Sequence, residues 1–293
     1  MRHFPQKGPF CGKYAVNRGE VSLLSKIEIQ NLTVDYVERN KSFTALKDVS
    51  FSVEAGEFVS VIGSSGCGKS TLLSILEGIN FPTGGQILID GEPIKGTGSD
   101  RGVVFQHYSL FPWMTARKNV AFGIKQVKKK ISKEERFRIA DQFLDKVGLE
   151  DFKNKYPSQL SGGMQQRVAI ARALAMDTDI LLMDEPFGAI DAKNRTILQE
   201  LLLKLWEGDG KQEKKTVVFV THDIDEAILL SDKIVMMATN PGRVSKEIEV
   251  PFKRPRVRAE LVQTKEYGVF RNELLSLFYS DIASKIGGDE VVL

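Results

Sequence analysis

The sequence predicts an α/β fold built on a mostly parallel core sheet. Apolar runs rich in β-branched residues alternate along the chain with segments of helical periodicity. This alternation is typical of strand–helix–strand crossovers, which join parallel neighbours. A glycine-rich turn with a phosphate-binding pattern lies between one of these strands and the next helix. Together, the three observations predict an open α/β sheet with a ligand site beside its core strands.

Each element is predicted from its own pattern. Short apolar runs predict strands at residues 27–34, 58–62, 86–89, 102–105, 180–183, 216–220 and 233–237. Apolar residues at helical spacing predict helices at residues 69–76, 132–147, 163–175, 192–206 and 224–230. Ser132 followed by Glu135 indicates a capping box at the start of the second of these helices. A weaker helical pattern covers residues 258–286.

The chain divides into three predicted parts. Residues 1–25 show weak patterning and lack the continuous apolar stretch of an export signal, so we expect a flexible N-terminal arm. Residues 26–250 are expected to form the main domain, with an α-helical subdomain inserted at about 111–165, a block that carries helical patterns and no strand pattern. Residues 251–293 are expected to form a helical C-terminal tail.

Composition excludes several classes of protein. The 41 basic and 38 acidic residues leave a formal charge of +3, which is too balanced for a nucleic-acid-binding surface. The sequence has no run of about 18 apolar residues, so a role at a membrane requires partner chains. Its two cysteines, Cys11 and Cys67, cannot form a disulfide framework or a CxxC metal site, which fits a reducing compartment.

The glycine-rich turn matches the pattern GxxxxGK[ST] and predicts the core of a P-loop NTPase. Its glycines let backbone N–H groups turn inward around phosphate oxygens, at the positive end of the following helix. Lys69 adds a mobile charge for the β- and γ-phosphates, and the Ser70 hydroxyl is suited to bind Mg²⁺. Cys67 is interpreted as a small residue that fills the loop rather than as a redox group. The predicted nucleotide-binding residues of this loop are Gly63, Ser64, Ser65, Gly66, Cys67, Gly68, Lys69, Ser70 and Thr71.

Two adjacent acids follow the predicted strand at residues 180–183. Asp184 and Glu185 therefore lie at the carboxyl end of a core strand, where open α/β sheets bind their ligands. Asp184 is suited to hold Mg²⁺ through water. Glu185 can polarise the water that attacks the γ-phosphate.

A second anion site is predicted at the start of the helix near residue 163. Ser161, Gly162 and Gly163 present a hydroxyl and backbone N–H groups at the positive end of this helix. The string Leu160-Ser161-Gly162-Gly163-Met164-Gln165 resembles the signature motif of ABC ATPases. It lies between the P-loop and the Asp-Glu pair, as it does in that family.

The other motifs of this family fall in the same order along the chain. Gln106 resembles the Q-loop glutamine, Asp191 the D-loop aspartate and His222 the switch histidine. Tyr36 resembles the aromatic residue that stacks on adenine, with Phe43 as a nearby alternative. Two positions depart from the commonest pattern, because Met164 stands where glutamine is usual and Gly188 where serine is usual.

The resemblance implies more than the residues alone establish. It implies a mixed, mostly parallel sheet with an antiparallel β edge, ATP and Mg²⁺ as ligands, and catalysis by Glu185, His222 and Gln106. Gln106 joins Ser70 and Asp184 as an implied metal ligand. It also implies a head-to-tail homodimer in which Ser161 of one copy covers the nucleotide of the other.

The segment Phe111-Pro112-Trp113-Met114-Thr115, with Pro241-Gly242-Arg243-Val244 and Arg254-Pro255-Arg256, resembles the nitrate, sulfonate and taurine importer subfamily. This resemblance implies an ATPase subunit at the cytoplasmic face of the cell membrane, bound to transmembrane permease subunits and served indirectly by a solute-binding protein. The expected solute is a small anion such as sulfonate, taurine or nitrate. Bicarbonate, a pyrimidine vitamin precursor and a non-transport ABC ATPase remain alternatives.

Overall fold

The computed structural model describes residues 25–38, 41–106, 108–188, 190–207 and 214–286. The arm predicted at residues 1–25 lies outside these ranges except for its last residue, and Cys11 lies outside them as well. In the part of the chain that is described, no helix is both long enough and apolar enough to cross a membrane.

A six-stranded sheet forms the core of the molecule. In spatial order its strands are β10 (Arg243–Glu249), β9 (Lys233–Ala238), β3 (Phe58–Gly63), β8 (Thr216–Thr221), β7 (Ile180–Asp184) and β6 (Arg101–Val104). The strands β9, β3, β8, β7 and β6 run parallel, and β10 pairs antiparallel with β9 at one edge. Because β3, β8 and β9 are buried along their whole lengths, they read as continuous apolar runs in the sequence. The predicted fold class is confirmed.

A second sheet, entirely antiparallel, packs beside the core. Its spatial order is β2 (Lys41–Val53), β1 (Ile27–Glu38), β4 (Gly84–Ile89) and β5 (Glu92–Pro93). No sequence pattern predicted β2, and the long pairing of β2 with β1 contains several register shifts. Asp48 has a positive φ of 51° within this strand. Such irregularities interrupt the alternation of apolar and polar residues, which is the signal by which a strand is predicted.

Eight α-helices surround the two sheets in the described chain. They are α1 (Lys69–Leu76), α2 (Ala116–Val127), α3 (Lys133–Lys146), α4 (Gly162–Met176), α5 (Ala192–Glu207), α6 (Ile224–Leu230), α7 (Arg258–Leu261) and α8 (Lys265–Ile286). The helices α2 and α3 and two short 3₁₀ turns, Glu150–Phe152 and Pro157–Gln159, lie between β6 and α4. The bounds of the five helices predicted in the main domain differ from these by at most one residue at either end, whereas α2 was not predicted as a separate helix.

The two ends of the helical pattern at 258–286 belong to separate helices. Thr264 interrupts the pattern, because its hydroxyl oxygen accepts a hydrogen bond from the Tyr267 backbone N at 3.2 Å and so starts a new helix.

The Ser132 hydroxyl likewise accepts from the Glu135 backbone N at 3.1 Å, as the capping box requires. The Glu135 carboxylate instead pairs with Arg138 at 2.7 and 2.8 Å, so only the Ser132 half of the predicted capping box is formed.

Candidate active site

The phosphate loop begins where β3 ends and closes at the start of α1. Gly68, the N-cap of α1, has a φ of 90°, a left-handed conformation that favours glycine. The Lys69 ammonium donates hydrogen bonds to the carbonyl oxygens of Gly63 at 2.7 Å and Ser64 at 3.3 Å. These bonds hold a buried cation inside the loop, where phosphate oxygens can replace the carbonyls as its partners.

The Cys67 thiol is enclosed within this loop. Its side chain is fully buried, and burial raises the pKa of the thiol above its ordinary value despite the opposing charge of Lys69. The thiolate is the reactive form of cysteine. The burial of Cys67 therefore agrees with its interpretation as a residue that fills the loop.

Gly242 connects the phosphate loop to the antiparallel sheet. Its backbone N donates to the Ala45 carbonyl at 3.0 Å, and its carbonyl accepts from the Lys47 backbone N at 2.8 Å. A Cβ atom at this position would lie 2.3 Å from the Cys67 carbonyl oxygen. Since no side chain fits there, Gly242 fixes the distance between the loop and β2, a contact that the sequence analysis did not predict.

Gln106 and His222 meet at one oxygen of Glu185. The Gln106 Nε2 atom donates to Glu185 Oε2 at 3.3 Å, and His222 Nδ1 lies 3.3 Å from the same oxygen. The three residues come from the carboxyl-end regions of β6, β7 and β8, which are neighbours in the sheet. The structure thus brings the three predicted catalytic residues together.

The backbone at Glu185 is held in an uncommon conformation. Its φ is 42°, which is rare for a residue with a side chain. The Glu185 backbone N donates to the Val220 carbonyl at 3.0 Å, and the Glu185 carbonyl accepts from the Gly188 backbone N at 3.1 Å. These bonds stabilise the left-handed turn, and the turn directs the Glu185 carboxylate towards Gln106 and His222.

Three carboxyl groups concentrate negative charge beneath the phosphate loop. Burial first, and the neighbouring Glu185 charge second, raise the pKa of Asp184, while a hydrogen bond with Ser70 opposes the shift. Burial and the Asp184 charge raise the pKa of Glu77 to about 7. A divalent cation at Ser70 and Asp184 would offset this repulsion, so the residues fit Mg²⁺. No cluster of three or more histidine, cysteine, aspartate or glutamate side chains that could hold a metal occurs in the described ranges.

An open cavity of about 600 Å³ lies over the loop, a size suited to a small-molecule ligand. It combines aromatic, glycine-rich and charged surfaces, and it is lined by Tyr36, Phe43, Ala45, Ser65, Gly66, Gly68, Lys69, Ser70, Thr71, Gln106, Glu185 and His222. A larger cavity of about 860 Å³ lies where β7 and β8 begin. Its acid Asp177 is already paired with Lys128 and Lys215, and ligands of such sheets bind at the opposite edge.

Tyr36 and Phe43 stand side by side at the mouth of the 600 Å³ cavity. They are directly opposite each other in the pairing of β1 with β2, and their exposed fractions are 45% and 58%. Cross-strand neighbours on one face of a sheet are close enough to form a continuous aromatic surface. The structure therefore places both the predicted adenine platform and its alternative at the cavity.

The second predicted anion site lies apart from this cavity. Ser161 is the N-cap of α4, and its hydroxyl accepts from the Met164 backbone N at 3.3 Å. Among the described residues that line the 600 Å³ cavity, none belongs to this helix start. The Met164 side chain packs against a hydrophobic cluster that the helical region shares with the core sheet, which accounts for an apolar residue at that position.

Asp191 caps the helix that follows it. Its carboxylate accepts from the Asn194 backbone N at 3.1 Å and from the Asn194 side chain at 2.6 Å. These hydrogen bonds lower the pKa of Asp191. Asp191 does not line the 600 Å³ cavity within the described part of the chain, and the neighbouring Ala189 lies outside the described residues.

Arg172 is a site-proximal residue that the sequence analysis missed. It lies in α4, is 8% exposed, and donates to the Ser109 carbonyl at 2.8 Å. This bond ties the segment that follows Gln106 to the helix that starts at Ser161. One sequence feature could have identified Arg172, because it is the single charged residue within the apolar run Ala169-Ile170-Ala171-Arg172-Ala173-Leu174-Ala175. A cation buried in such a run needs a polar partner.

The chain is similar to known proteins over most of its length. A family model described as ABC transporter matches residues 46–188. The nitrate import ATP-binding protein NrtD of Synechococcus elongatus is 48% identical over 242 residues, which cover 82% of this chain and 87% of that protein. The taurine import ATP-binding protein TauB of Roseobacter denitrificans is 44% identical over 271 residues, or 91% and 99% of the two chains. A solved ATP-binding cassette, dimeric in a post-hydrolysis state with ADP and Pi, aligns with a TM-score of 0.69 and 39% identity over 78% of this chain and 100% of that chain.

Proposed function

The chain belongs to the family of ABC transporter ATP-binding proteins and is an ATPase, and from this premise we propose that it uses Mg²⁺ and ATP to drive the import of a small anion. The observation that carries the proposal is the meeting of Gln106 and His222 at Glu185 Oε2, on the wall of the cavity that also contains Lys69. A water molecule held beside this oxygen would face the position of a γ-phosphate bound to the loop.

Each residue of the site has a separate proposed role. Glu185 polarises the attacking water, while Gln106 and His222 orient the carboxylate and contact the γ-phosphate. Lys69 and the backbone N–H groups of the loop bind the phosphates. Ser70, Asp184 and Gln106 would hold Mg²⁺, and this ion would supply positive charge to the phosphate oxygens.

Two copies of the chain are proposed to complete each nucleotide site. The start of α4 at Ser161 presents backbone N–H groups and the positive end of a helix, yet it does not line the cavity of its own chain. In a head-to-tail dimer it would face the γ-phosphate bound by the other copy. Hydrolysis would then remove a contact that holds the copies together, and the dimer would open.

The segment after Gln106 is the proposed contact with membrane partners. The Trp113 side chain is 68% exposed and therefore does not belong to the core of the helical region. The fully buried Asn119 fixes this segment, because its side chain accepts from the Phe111 backbone N at 2.8 Å and donates to the Met114 carbonyl at 3.0 Å. An exposed indole on a rigid loop is a suitable contact for a transmembrane permease subunit.

The anionic solute and the cellular location are inferred from the relatives. Nitrate and taurine are named for proteins that match this chain at 48% and 44% identity. We propose the same class of solute here, with the chain at the cytoplasmic face of the membrane and a solute-binding protein delivering the anion to the permease. Solute selection would lie in those partner chains.

Reconstitution in vesicles tests the proposal. The chain would be purified with its permease subunits and solute-binding protein, and ATP hydrolysis would be measured with nitrate, taurine, bicarbonate or a pyrimidine vitamin precursor. We expect one of the anions to stimulate hydrolysis and to accumulate in the compartment that contains the ATPase. If only the pyrimidine vitamin precursor stimulated hydrolysis, the transported solute would be that precursor and not an anion. Hydrolysis that responds to no partner would favour a non-transport ATPase.

A further inference from the structure

We propose that Arg258, Gln199 and Glu226 are positioning residues that hold the His222 loop, so that the C-terminal tail sets the rate of hydrolysis. The proposal rests on the proposed role of His222 and adds three residues outside the cavity. They come from α7, α5 and α6, and they form one continuous path of hydrogen bonds from the tail to the loop.

The inner end of the path holds both neighbours of His222. The Thr221 hydroxyl donates to Glu226 Oε2 at 2.6 Å and accepts from the Asp223 backbone N at 3.0 Å. The Glu226 backbone N in turn donates to Asp223 Oδ1 at 3.1 Å. Since Thr221 and Asp223 flank His222, the Glu226 carboxylate fixes the backbone on each side of the imidazole.

The outer end of the path begins in the tail. A terminal nitrogen of Arg258 donates to Gln199 Oε1, and Gln199 Nε2 donates to Glu226 Oε1 at 2.9 Å. The Gln199 amide therefore has one orientation, because a flipped amide would turn its NH₂ group towards the guanidinium and its oxygen towards the carboxylate. A change in the position of Arg258 would be transmitted to Glu226 through this fixed amide.

A second contact links the same helix to the loop. Arg195, one turn before Gln199 in α5, lies 3.8 Å from Asp223 Oδ2 and donates to the Ile190 carbonyl at 3.2 Å. Residues four apart lie on one face of a helix, so Arg195 and Gln199 contact the loop from the same side. Through α5, the position of the His222 loop is tied to the segment around Asp191 as well.

The burial of these polar residues indicates that the hydrogen-bonded path favours one conformation of the His222 loop. Gln199, Thr221 and Glu226 are 1%, 2% and 5% exposed, and burial raises the pKa of Glu226 against the hydrogen bonds that Thr221 and Gln199 supply. A buried polar network stabilises a protein no better than well-packed apolar residues do, but it favours one arrangement of its members. Here the arrangement that it favours is that of the loop carrying His222.

The tail has a second hydrogen-bonded anchor, which provides a matched control. Arg271 in α8 donates to Asp225 Oδ1 at 2.7 Å and to Oδ2 at 3.2 Å, and the Tyr267 hydroxyl donates to the same carboxylate. Asp225 lies in α6, as Glu226 does, but its contacts lead to α8. Arg271→Ala therefore removes a tail arginine without breaking the path to Thr221.

The first test is steady-state hydrolysis by the full-length chain with Mg²⁺ and ATP. For Arg258→Ala and Gln199→Leu we expect kcat to fall about tenfold while KM for ATP changes less than about twofold, because the phosphate loop is untouched. Arg258→Lys keeps a donor and should recover part of kcat. Arg271→Ala should retain the kcat of the unmodified protein. Equal losses in Arg258→Ala and Arg271→Ala would overturn the proposal, since they would indicate general loosening of the tail.

The second test observes His222 directly. The sequence has three histidines, so the His222 imidazole signals in an NMR spectrum can be assigned by comparison with His222→Gln. We expect Arg258→Ala to shift these signals and Arg271→Ala to leave them in place; unmoved signals in a folded Arg258→Ala variant would overturn the proposal. If His222→Ala hydrolyses ATP at the unmodified rate, the proposed role of His222 fails, whereas the NMR shift still reports separately on the positioning path.

Discussion

His222 Nδ1 lies 3.3 Å from Glu185 Oε2. A helix and a strand, α5 and β8, separate the two residues in the sequence, but the fold brings the imidazole and the carboxylate into contact. The side chain of His222 is 65% exposed and that of Glu185 is 20% exposed. The carboxylate is thus the enclosed member of the pair, and the imidazole extends from it into the open cavity. This geometry is consistent with the proposed roles, in which Glu185 activates water and His222 contacts the phosphate.

Glu185→Gln should abolish turnover and spare nucleotide binding. An amide cannot accept the proton of the attacking water, so we expect ATP hydrolysis to fall about 10²- to 10⁴-fold, the usual contribution of a general base. Phosphate release measures the rate, and size-exclusion chromatography with Mg²⁺ and ATP measures the dimer, which should persist. Lys69→Ala is the matched contrast, because it should weaken ATP binding itself. Undiminished turnover in Glu185→Gln would remove this residue from the role.

The two aromatic residues at the cavity can be distinguished by substitution. Stacking of a base on an aromatic side chain contributes about 1–3 kcal/mol, so loss of the adenine platform should raise the Kd for ATP about 5- to 150-fold. We expect this from Tyr36→Ala, with a smaller effect from Phe43→Ala. Titration with a fluorescent ATP analogue measures both affinities. The reverse order would assign the stacking role to Phe43, and equal affinity in all three proteins would exclude both residues.

Trp113→Ala should uncouple transport from hydrolysis. The indole is exposed and lies outside the nucleotide cavity, so its removal should leave the ATPase rate of the isolated chain within about twofold of the original. In reconstituted vesicles, however, solute-stimulated uptake should fall about tenfold or more, because an exposed aromatic anchor of an interface would be missing. Equal losses in both assays, or no loss in either, would contradict the proposed docking role.

Cys67 should resist alkylation in the folded protein. The thiol is fully buried and its pKa is raised, so the population of accessible thiolate is low. In a Cys11→Ser background, iodoacetamide should modify the folded chain at least about tenfold more slowly than the urea-unfolded chain. Mass spectrometry gives both rates. Equal rates would show that the loop opens readily enough to expose its thiol.

The stability of the nucleotide-free protein should fall as the pH rises through 7. The pKa of Glu77 is raised from its ordinary value of 4.5 to about 7, so the folded state holds this proton more tightly than the unfolded state. The resulting stabilisation is complete below the ordinary pKa and is lost as the pH passes the raised pKa, a change of at most about 3 kcal/mol at 1.36 kcal/mol per pKa unit.

Glu77→Gln is the corresponding variant, because glutamine keeps the shape of the side chain and cannot ionise. Denaturant unfolding in EDTA should show that the variant gains about 1–3 kcal/mol relative to the unmodified protein between about pH 5 and pH 8.5. A difference in unfolding free energy that stays constant over this range would mean that Glu77 does not titrate between these values.

Patterns that are local in the sequence predicted local features well. The loop from Gly63 to Thr71 and the two acids at the carboxyl end of β7 were identified because each lies at a junction between a buried strand and the following segment. The strands β2 and β10 were missed, since β2 contains an irregular pairing and β10 carries exposed polar residues at most positions. Neither segment shows the regular alternation of apolar and polar residues by which an edge strand is predicted from sequence.

The amino-acid sequence by itself determined the α/β class, the order of the motifs and the residue types proposed to contact a triphosphate, because these depend on short-range periodicity and on chemistry carried within a few residues. The tertiary structure alone decided that Gln106 and His222 share Glu185 Oε2, that Gly242 spaces the loop from β2, and that Arg258 reaches Thr221 through Gln199 and Glu226. Those contacts join residues far apart in the chain, and their distances are set by strand order and helix packing, which no single segment encodes.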